Sequence, residues 1–178
     1  MKKFRSLISV FFLITSITIL SPSAKANNFG FRFSPILILV GIADVDLDIG
    51  LGSNFVLSPE IIGGKWTLLD KGYIQLSGGG LALSYHFNGN FTDGFYLGVA
   101  GQTVEVKGEN SSGLAAQATA KGGGLRAGYL WQWVNFYMNL GASFFSSDNT
   151  KITYSDGSTE NIPGGSGAGL DFKIGWSF

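Results

Sequence analysis

Apolar and polar residues alternate without a break over the last thirteen residues of the chain, from Ser166 to Phe178. Successive side chains of a β-strand point to opposite faces, so this pattern predicts a strand with one apolar, aromatic face. The intervening positions are small or charged, among them Asp171 and Lys173. The apolar positions are Ala168, Leu170, Phe172, Ile174, Trp176 and Phe178.

Similar alternation, punctuated by turn residues, predicts eight strands and an all-β fold class. The predicted strands are Phe29–Val40, Ala43–Leu51, Phe55–Trp66, Tyr73–Phe87, Gly94–Val106, Ala116–Trp131, Val134–Phe145 and a last strand that ends at Phe178. Within the first of them, Leu37 and Leu39 are placed on the same face as the phenylalanines. Pro35 is awkward inside a strand, so we expect bent or irregular backbone there.

The connections between these strands differ in length. They are short after the second, fourth and sixth strands, at 52–54, 88–93 and 132–133. After the third, fifth and seventh strands they are longer and more polar, at 67–72, 107–115 and 146–165. An even strand count with short turns at one end is typical of outer-membrane barrels. The first connection, near Gly41, is short and departs from this pattern.

The first 26 residues have the pattern of a signal peptide. Lys2, Lys3 and Arg5 are followed by an apolar region and then by Ala24-Lys25-Ala26, an A-x-A cleavage site. The apolar region, about 14 residues long, is shorter than the roughly 20 that a spanning helix needs. We therefore expect a cleaved signal peptide at 1–26, an exported chain, and one barrel domain at 27–178.

Composition narrows the classes of function. The chain has no cysteine, which excludes disulfides, a lipid-anchored lipoprotein and cysteine-based metal sites. Cleavage after residue 26 removes four of the 12 basic residues and none of the 12 acidic ones, which leaves a net charge of −4. An acidic chain without a basic run gives no indication of nucleic-acid binding.

The identity of the residues on each face separates a membrane barrel from a soluble one. A lipocalin-like barrel would turn its apolar face inward and need a polar coat, but the interleaving positions here include Gly78–Gly80 and Gly122–Gly124. Glycine suits a crowded interior better than a water-facing surface. Aromatic rings collect near one predicted rim, as in the interfacial belts of membrane proteins. They are Tyr85, Phe87, Phe95, Tyr129, Trp131, Phe136, Trp176 and Phe178.

One strand-turn-strand segment resembles known proteins. The run Tyr85-His86-Phe87-Asn88-Gly89, followed by 93–98 (DGFYLG), is similar to small bacterial outer-membrane barrels of unassigned function. The end of the chain, with Trp176 and the terminal Phe178, resembles the signal by which the barrel-assembly machinery recognises its clients. The resemblance implies an eight-stranded, antiparallel, up-and-down transmembrane barrel of the class of OmpA, OmpX and OmpW in a Gram-negative outer membrane.

In such a barrel the polar face lines the lumen. An eight-stranded barrel is only wide enough for side chains to fill it, and buried charges must be paired. We therefore expect a salt-bridge network that closes the lumen, with a narrow channel for small or apolar solutes as the alternative. Asp44, Asp46 and Asp48 are strung along one strand, about 7 Å apart, which argues against a metal site. The predicted network residues are Arg32, Asp44, Asp46, Asp48, Glu60, Arg126, Asp171 and Lys173.

His86 is the only histidine and raises an enzymatic alternative. Lipid A deacylases are eight-stranded barrels with a His-x-Ser-Asn motif, but here the run is His86-Phe87-Asn88, without the serine. A hydroxyl nucleophile needs a base within hydrogen-bond reach, and Ser84 is a weak candidate. We therefore predict no catalytic residue, and a structural histidine.

The sequence as a whole predicts a structural or surface-interaction barrel without a cofactor. The expected partners are outer-membrane lipid, including lipopolysaccharide, and the assembly machinery during biogenesis. No nucleic-acid partner is expected, and the sequence does not indicate a surface ligand. The narrow channel and the deacylase-type envelope enzyme stay as alternatives.

Overall fold

A computed structural model describes residues 28–67, 72–109 and 113–178. The predicted signal peptide at 1–26 lies outside these residues. No helix in the described ranges has the length and hydrophobicity that crossing a membrane requires. The elements are β1 (Phe29–Phe33), α1 (Pro35–Leu39), β2 (Ile42–Leu51), β3 (Phe55–Thr67), β4 (Tyr73–His86), β5 (Gly94–Glu109), β6 (Ala115–Trp133), β7 (Phe136–Ser147), β8 (Thr150–Tyr154), β9 (Thr159–Ile162) and β10 (Ser166–Ser177).

Eight of the strands close into an antiparallel barrel. The order around the wall is β1-β2-β3-β4-β5-β6-β7-β10, and β10 pairs with β1. The predicted all-β, eight-stranded, up-and-down barrel is therefore confirmed. The strands are staggered by ten residues around the barrel. A path that starts at Phe178 and steps from each residue to its partner on the next strand reaches β10 again at Ala168. It passes Phe29, Ile49, Leu57, Leu83, Val99, Leu125 and Phe144.

The two faces of the wall have opposite chemistry. On β2, Asp44, Asp46 and Asp48 are buried inside the barrel, whereas Val45 and Leu47 are exposed on its outer surface. The period-2 alternation of the sequence produces this division, because each step along a strand reverses the face. The same division holds around the wall, where the exposed outer side chains include Ile61, Leu81, Leu83, Leu97, Val99, Leu125, Leu140 and Phe144.

Aromatic rings surround the end of the barrel that carries the short turns. The rings contact one another in edge-on, tilted or stacked pairs at centroid separations of 4.8–5.8 Å. Such contacts form where neighbouring strands present rings side by side on one face. The three groups are Phe55–Tyr85–Phe87, Phe95–Tyr129–Trp131 and Trp133–Phe136–Trp176.

The first predicted strand, Phe29–Val40, is wrong in its second half. β1 ends at Phe33, and residues 35–39 form α1, so Leu37 and Leu39 are helical. Ser34 caps the helix by accepting a hydrogen bond from the Leu37 amide at 3.4 Å, and Pro35 occupies the first turn. Serine caps and a first-turn proline both favour a helix start, and they override the strand preference of the apolar residues that follow.

The predicted long loop 146–165 contains two further strands. β8 pairs with β6 at Ala116–Ala118 and also with β9. The β8–β9 hairpin, which connects β7 to β10, therefore extends beyond the closed barrel. At its tip, the amide and hydroxyl of Ser158 donate to Asp156 at 2.8 and 2.6 Å. These bonds favour the ionised carboxylate and lower the pKa of Asp156.

The turn between β6 and β7 lies two residues later than predicted. β6 continues to Trp133, and the turn residues are Val134 and Asn135 rather than Gln132 and Trp133. Val134 has a φ of 54° and is 90% exposed, which is an unusual conformation for a β-branched residue. The predicted start of a strand at Val134 is therefore wrong.

Candidate functional site

All eight charged residues predicted to line the lumen lie on the inner face of the barrel. Asp44, Asp46 and Asp48 come from β2, and the other five come from β1, β3, β6 and β10. Five are buried: Arg32, Asp44, Asp46, Asp48 and Lys173. The other three, Glu60, Arg126 and Asp171, are partly exposed.

Arg32 joins the first part of this network. Its Nε lies 2.6 Å from Asp46 Oδ2, and its Nη2 lies 3.4 Å from Asp48 Oδ1. The same Nη2 donates to Ser58 Oγ at 3.4 Å. Arg32 sits on β1 directly opposite Asp46 of β2 in the strand register, so the local pairing alone brings the ion pair together.

Two neutral residues complete the surroundings of Asp48. The hydroxyls of Ser58 and Tyr137 donate to its two carboxylate oxygens, each at 2.5 Å. Buried carboxylates require such donors as well as a cation. Neither residue is among the predicted network residues, although the alternation in β7 places Tyr137 on the same face as Asn139.

Lys173 forms the second part of the network. Its Nζ lies 2.9 Å from Asp44, 3.0 Å from Asp46 and 3.5 Å from Glu60. Lys173 comes from β10, so these ion pairs join the last strand of the barrel to its second and third strands. They cross the interior, because β1 separates β10 from β2 along the wall.

The carboxylates around Lys173 lie closer together than the sequence predicts. Oxygens of Asp44, Asp46 and Glu60 lie within 4.8 Å of one another, because Glu60 pairs with Asp46 across β2 and β3. An acidic cluster of this kind could hold a cation. Here the ammonium group of Lys173 already contacts all three carboxylates, and it supplies the compensating positive charge.

Arg126 has the weakest pairing of the three cations that the described residues place inside the barrel. Its Nη2 lies 3.5 Å from Asp171 Oδ2, and its guanidinium carbon lies 5.6 Å from the centre of the Tyr96 ring. Nη2 has no hydrogen bond within the part of the chain that the structure describes. The carboxylate of Asp171 is also the more open partner, at 24% exposure. This pair therefore faces a less crowded part of the interior.

A further polar cluster lies near the short-turn end. The Tyr96 hydroxyl donates to Asn139 Oδ1 at 3.1 Å, and the His86 ring stacks on Tyr96 with centroids 5.4 Å apart. His86 Nδ1 and Asn139 Nδ2 have no hydrogen-bond partner among the described residues. The deacylase-type enzyme stays an alternative.

The two residues of the predicted assembly signal lie where the barrel closes. The amide of Phe178 donates to the carbonyl of Phe29 at 2.8 Å, and the reverse bond is 3.2 Å long. The Trp176 ring stacks on Phe31 at 5.5 Å and contacts Phe136 edge-on at 5.4 Å. The end of the chain therefore joins the first and last strands of the barrel.

The fold and its interior define a closed antiparallel β-barrel with apolar side chains outside and an ion-paired interior. Comparisons of the chain with protein-family models, with curated proteins and with solved structures found no match. The assignment of a function therefore depends on the geometry of the barrel and on the chemistry of its two faces.

Proposed function

We propose that the chain is an integral outer-membrane β-barrel with a structural or surface-interaction role. The observation that carries the proposal is the inverted distribution of polarity. Large apolar side chains cover the outside while Asp46, Asp48 and Lys173 are buried inside. In water, this arrangement would leave the apolar surface hydrated and would still desolvate the charges. Hydrocarbon around the barrel removes the first cost.

The height of the apolar surface fits a bilayer. Along β7 the outward positions are apolar from Phe136 through Leu140 to Phe144, and they become polar at Ser146. This gives an apolar stretch of nine residues, within the 9–11 residues of a tilted transmembrane strand. The aromatic contacts at the short-turn end match the position of an interfacial girdle.

The outer surface above the apolar band suggests a lipid partner. Lys65 and Lys121 are exposed there on the outward faces of β3 and β6, just beyond the last apolar positions. With the short turns in the periplasm, this rim would face the outer leaflet. We propose that these cations contact the phosphates of lipopolysaccharide.

The role follows from the interior. The ion pairs of Arg32 and Lys173 tie β1, β2, β3 and β10 together across the middle of the barrel, which supports a closed lumen. The protruding β8–β9 hairpin would then present the contact surface. A narrow channel is the second candidate, because small inward residues such as Gly78, Gly122 and Ala120 project no long side chain into the lumen above the network.

Three measurements test these proposals. Cell fractionation should recover the protein in outer membranes, and unboiled samples should migrate differently from boiled samples in SDS gels. Recovery as a soluble periplasmic protein would contradict the membrane assignment. In planar bilayers the purified barrel should show no stable conductance, and steady ion currents would favour the channel.

A further inference from the structure

The wall of the barrel is incomplete on one side of β10. β10 pairs with β7 from Ser166 to Trp176, but it pairs with β1 only from Ile174 onward. Within the described residues, Ser166 to Lys173 have no strand on the side of β1. The β1–β10 pairing closes the barrel at the short-turn end, while the remainder of β10 keeps a free edge on this side.

The missing part of the wall corresponds to α1. Continuing the register of β1 and β10 would place residues 34–41 opposite residues 173–166. These eight residues would extend about 26 Å as a strand, at 3.3 Å per residue. The five residues of α1 rise only about 7.5 Å as a helix. Because α1 is shorter than the missing strand, it cannot cover the whole of this edge. The uncovered part between α1 and β10 is called the lateral cleft.

The cleft is apolar at its outer mouth. Ile36, Ile38 and Leu39 of α1 are exposed, and Leu170 of β10 is 88% exposed. No side chain in α1 is buried. Exposed aliphatic side chains on both sides of one opening form a surface that matches a hydrocarbon chain.

None of the described residues fills the inner side of the cleft. Gly167 and Gly169 lie on the inner face of β10, the same face as Asp171 and Lys173. Among the described residues, a methyl group built on Gly167 would meet no atom within 4 Å, and one built on Gly169 would meet only Ser143 Oγ, at 3.4 Å. The interior next to the cleft can therefore accept additional atoms.

The cleft lies at the level of the outer apolar band. Leu170 and Ala168 of β10 pair with Ala142 and Phe144 of β7, which are exposed on the outer surface. In hydrocarbon, a sheet edge needs hydrogen-bond partners for its free backbone groups. An amphiphile can satisfy both requirements, with polar oxygens on the free edge and an apolar chain along α1.

We propose that the cleft admits an acyl chain of an outer-leaflet lipid, with the lipid's ester oxygens as acceptors for free amides of β10. This inference rests on the proposed membrane location. The charge network of Arg32 and Lys173 lies below the cleft on the side of the short turns, so the cleft is a blind site rather than a route through the barrel.

The test uses single cysteines, because the chain has none of its own. Gly169→Cys reports on the cleft, and Ala100→Cys reports on the inner face of the intact β5 wall. Val99→Cys reports on the outer face. Each variant is labelled with bimane in phosphatidylcholine nanodiscs, with and without phosphatidylcholine that carries a nitroxide on its acyl chain.

If an acyl chain enters the cleft, the nitroxide lipid should quench most of the fluorescence of the label at 169, about as strongly as at 99. The label at 100 should be little affected. If the labels at 169 and 100 were equally protected from quenching while the label at 99 was strongly quenched, lipid would not enter the cleft. The proposed membrane location would still stand. Absence of quenching at 99 would instead overturn the membrane location.

A closure variant supplies a second measurement. Ser34→Val with Pro35→Val removes the helix cap and the proline, and the following residues 36–40 (ILILV) favour a strand. We expect β1 to lengthen and the quenching at 169 to fall to the level at 100. Unchanged quenching at 169 in a heat-modifiable barrel would show that the lipid does not enter through this gap. Should this variant fail to fold, the comparison of 169 with 100 decides.

Discussion

Replacement of Lys173 by methionine should be the most damaging single change in the interior. The side chain would keep its length and lose its charge, so the change removes the ammonium and leaves the packing. Lys173 Nζ contacts Asp44, Asp46 and Glu60 at 2.9–3.5 Å and is 5% exposed. Among the described residues, Asp46 is the only one of these carboxylates with a second cation, Arg32, as a direct ion-pair partner.

The magnitude follows from the burial of these groups. Breaking a buried ion pair by removing one partner costs about 3–5 kcal/mol, because the remaining charge is uncompensated. With a urea dependence of about 2 kcal/mol per molar, a loss of 4 kcal/mol would lower the unfolding midpoint by about 2 M. Lys151→Met on the exposed β8–β9 hairpin is the matched control, and it should change the free energy of unfolding by less than about 0.5 kcal/mol.

Equilibrium urea unfolding in lipid vesicles, followed by tryptophan fluorescence, measures both variants. Adding Glu60→Gln to Lys173→Met should restore part of the stability, because it removes one uncompensated carboxylate. Equal and negligible changes for Lys173→Met and Lys151→Met would refute the reasoning, since they would show that Lys173 is hydrated.

Three further predictions concern other parts of the barrel. Arg126→Met should destabilise less than Lys173→Met in the same urea assay, because its ion pair is long and partly exposed. Tyr137→Phe should cost about 1.5–3 kcal/mol through the lost hydrogen bond to a buried carboxylate, and an unchanged midpoint would contradict it. Deleting Phe178 removes its backbone pairing with Phe29, so the barrel should assemble more slowly in pulse-chase heat-modifiability gels; normal kinetics would count against the assembly signal.

The barrel could be predicted from the sequence because its signal is local. In β2 the alternation of aspartates with Val45, Leu47 and Ile49 assigns each residue to a face before any contact is known. The same alternation places Lys173 and Arg126 on the inner face. Face assignment requires only the period of the strand.

The ion-pair partners could not be predicted in the same way. The contact of Lys173 with Glu60 depends on the stagger of ten residues around the wall and on the reach of each side chain across the interior. The sequence predicts that the three aspartates of β2 lie about 7 Å apart along one strand. In the folded barrel, oxygens of Asp44, Asp46 and Glu60 lie within 4.8 Å of one another, because Glu60 pairs with Asp46. The register between neighbouring strands is set by the closed sheet as a whole, so the pattern within one strand does not predict it.

The errors in the strand assignment also have physical causes. Residues 36–40 have the composition of a strand, but the local Ser34-Pro35 start directs them into a helix. β8 and β9 are short and have little apolar alternation, and β8 is held in place by pairing with β6 and β9. Both cases show that a local cap or a neighbouring strand can outweigh residue preference.

A depth scan of β5 tests the central claim most directly. Single cysteines at successive positions from 95 to 107 would carry a small fluorophore, and lipid-borne nitroxides would quench it in nanodiscs. The proposed membrane barrel predicts strong quenching at the outward positions Phe95, Leu97 and Val99, weak quenching at the inward positions between them, and a loss of quenching from Thr103 onward. Weak lipid quenching at the outward positions, with high accessibility to a water-soluble quencher, would contradict the account.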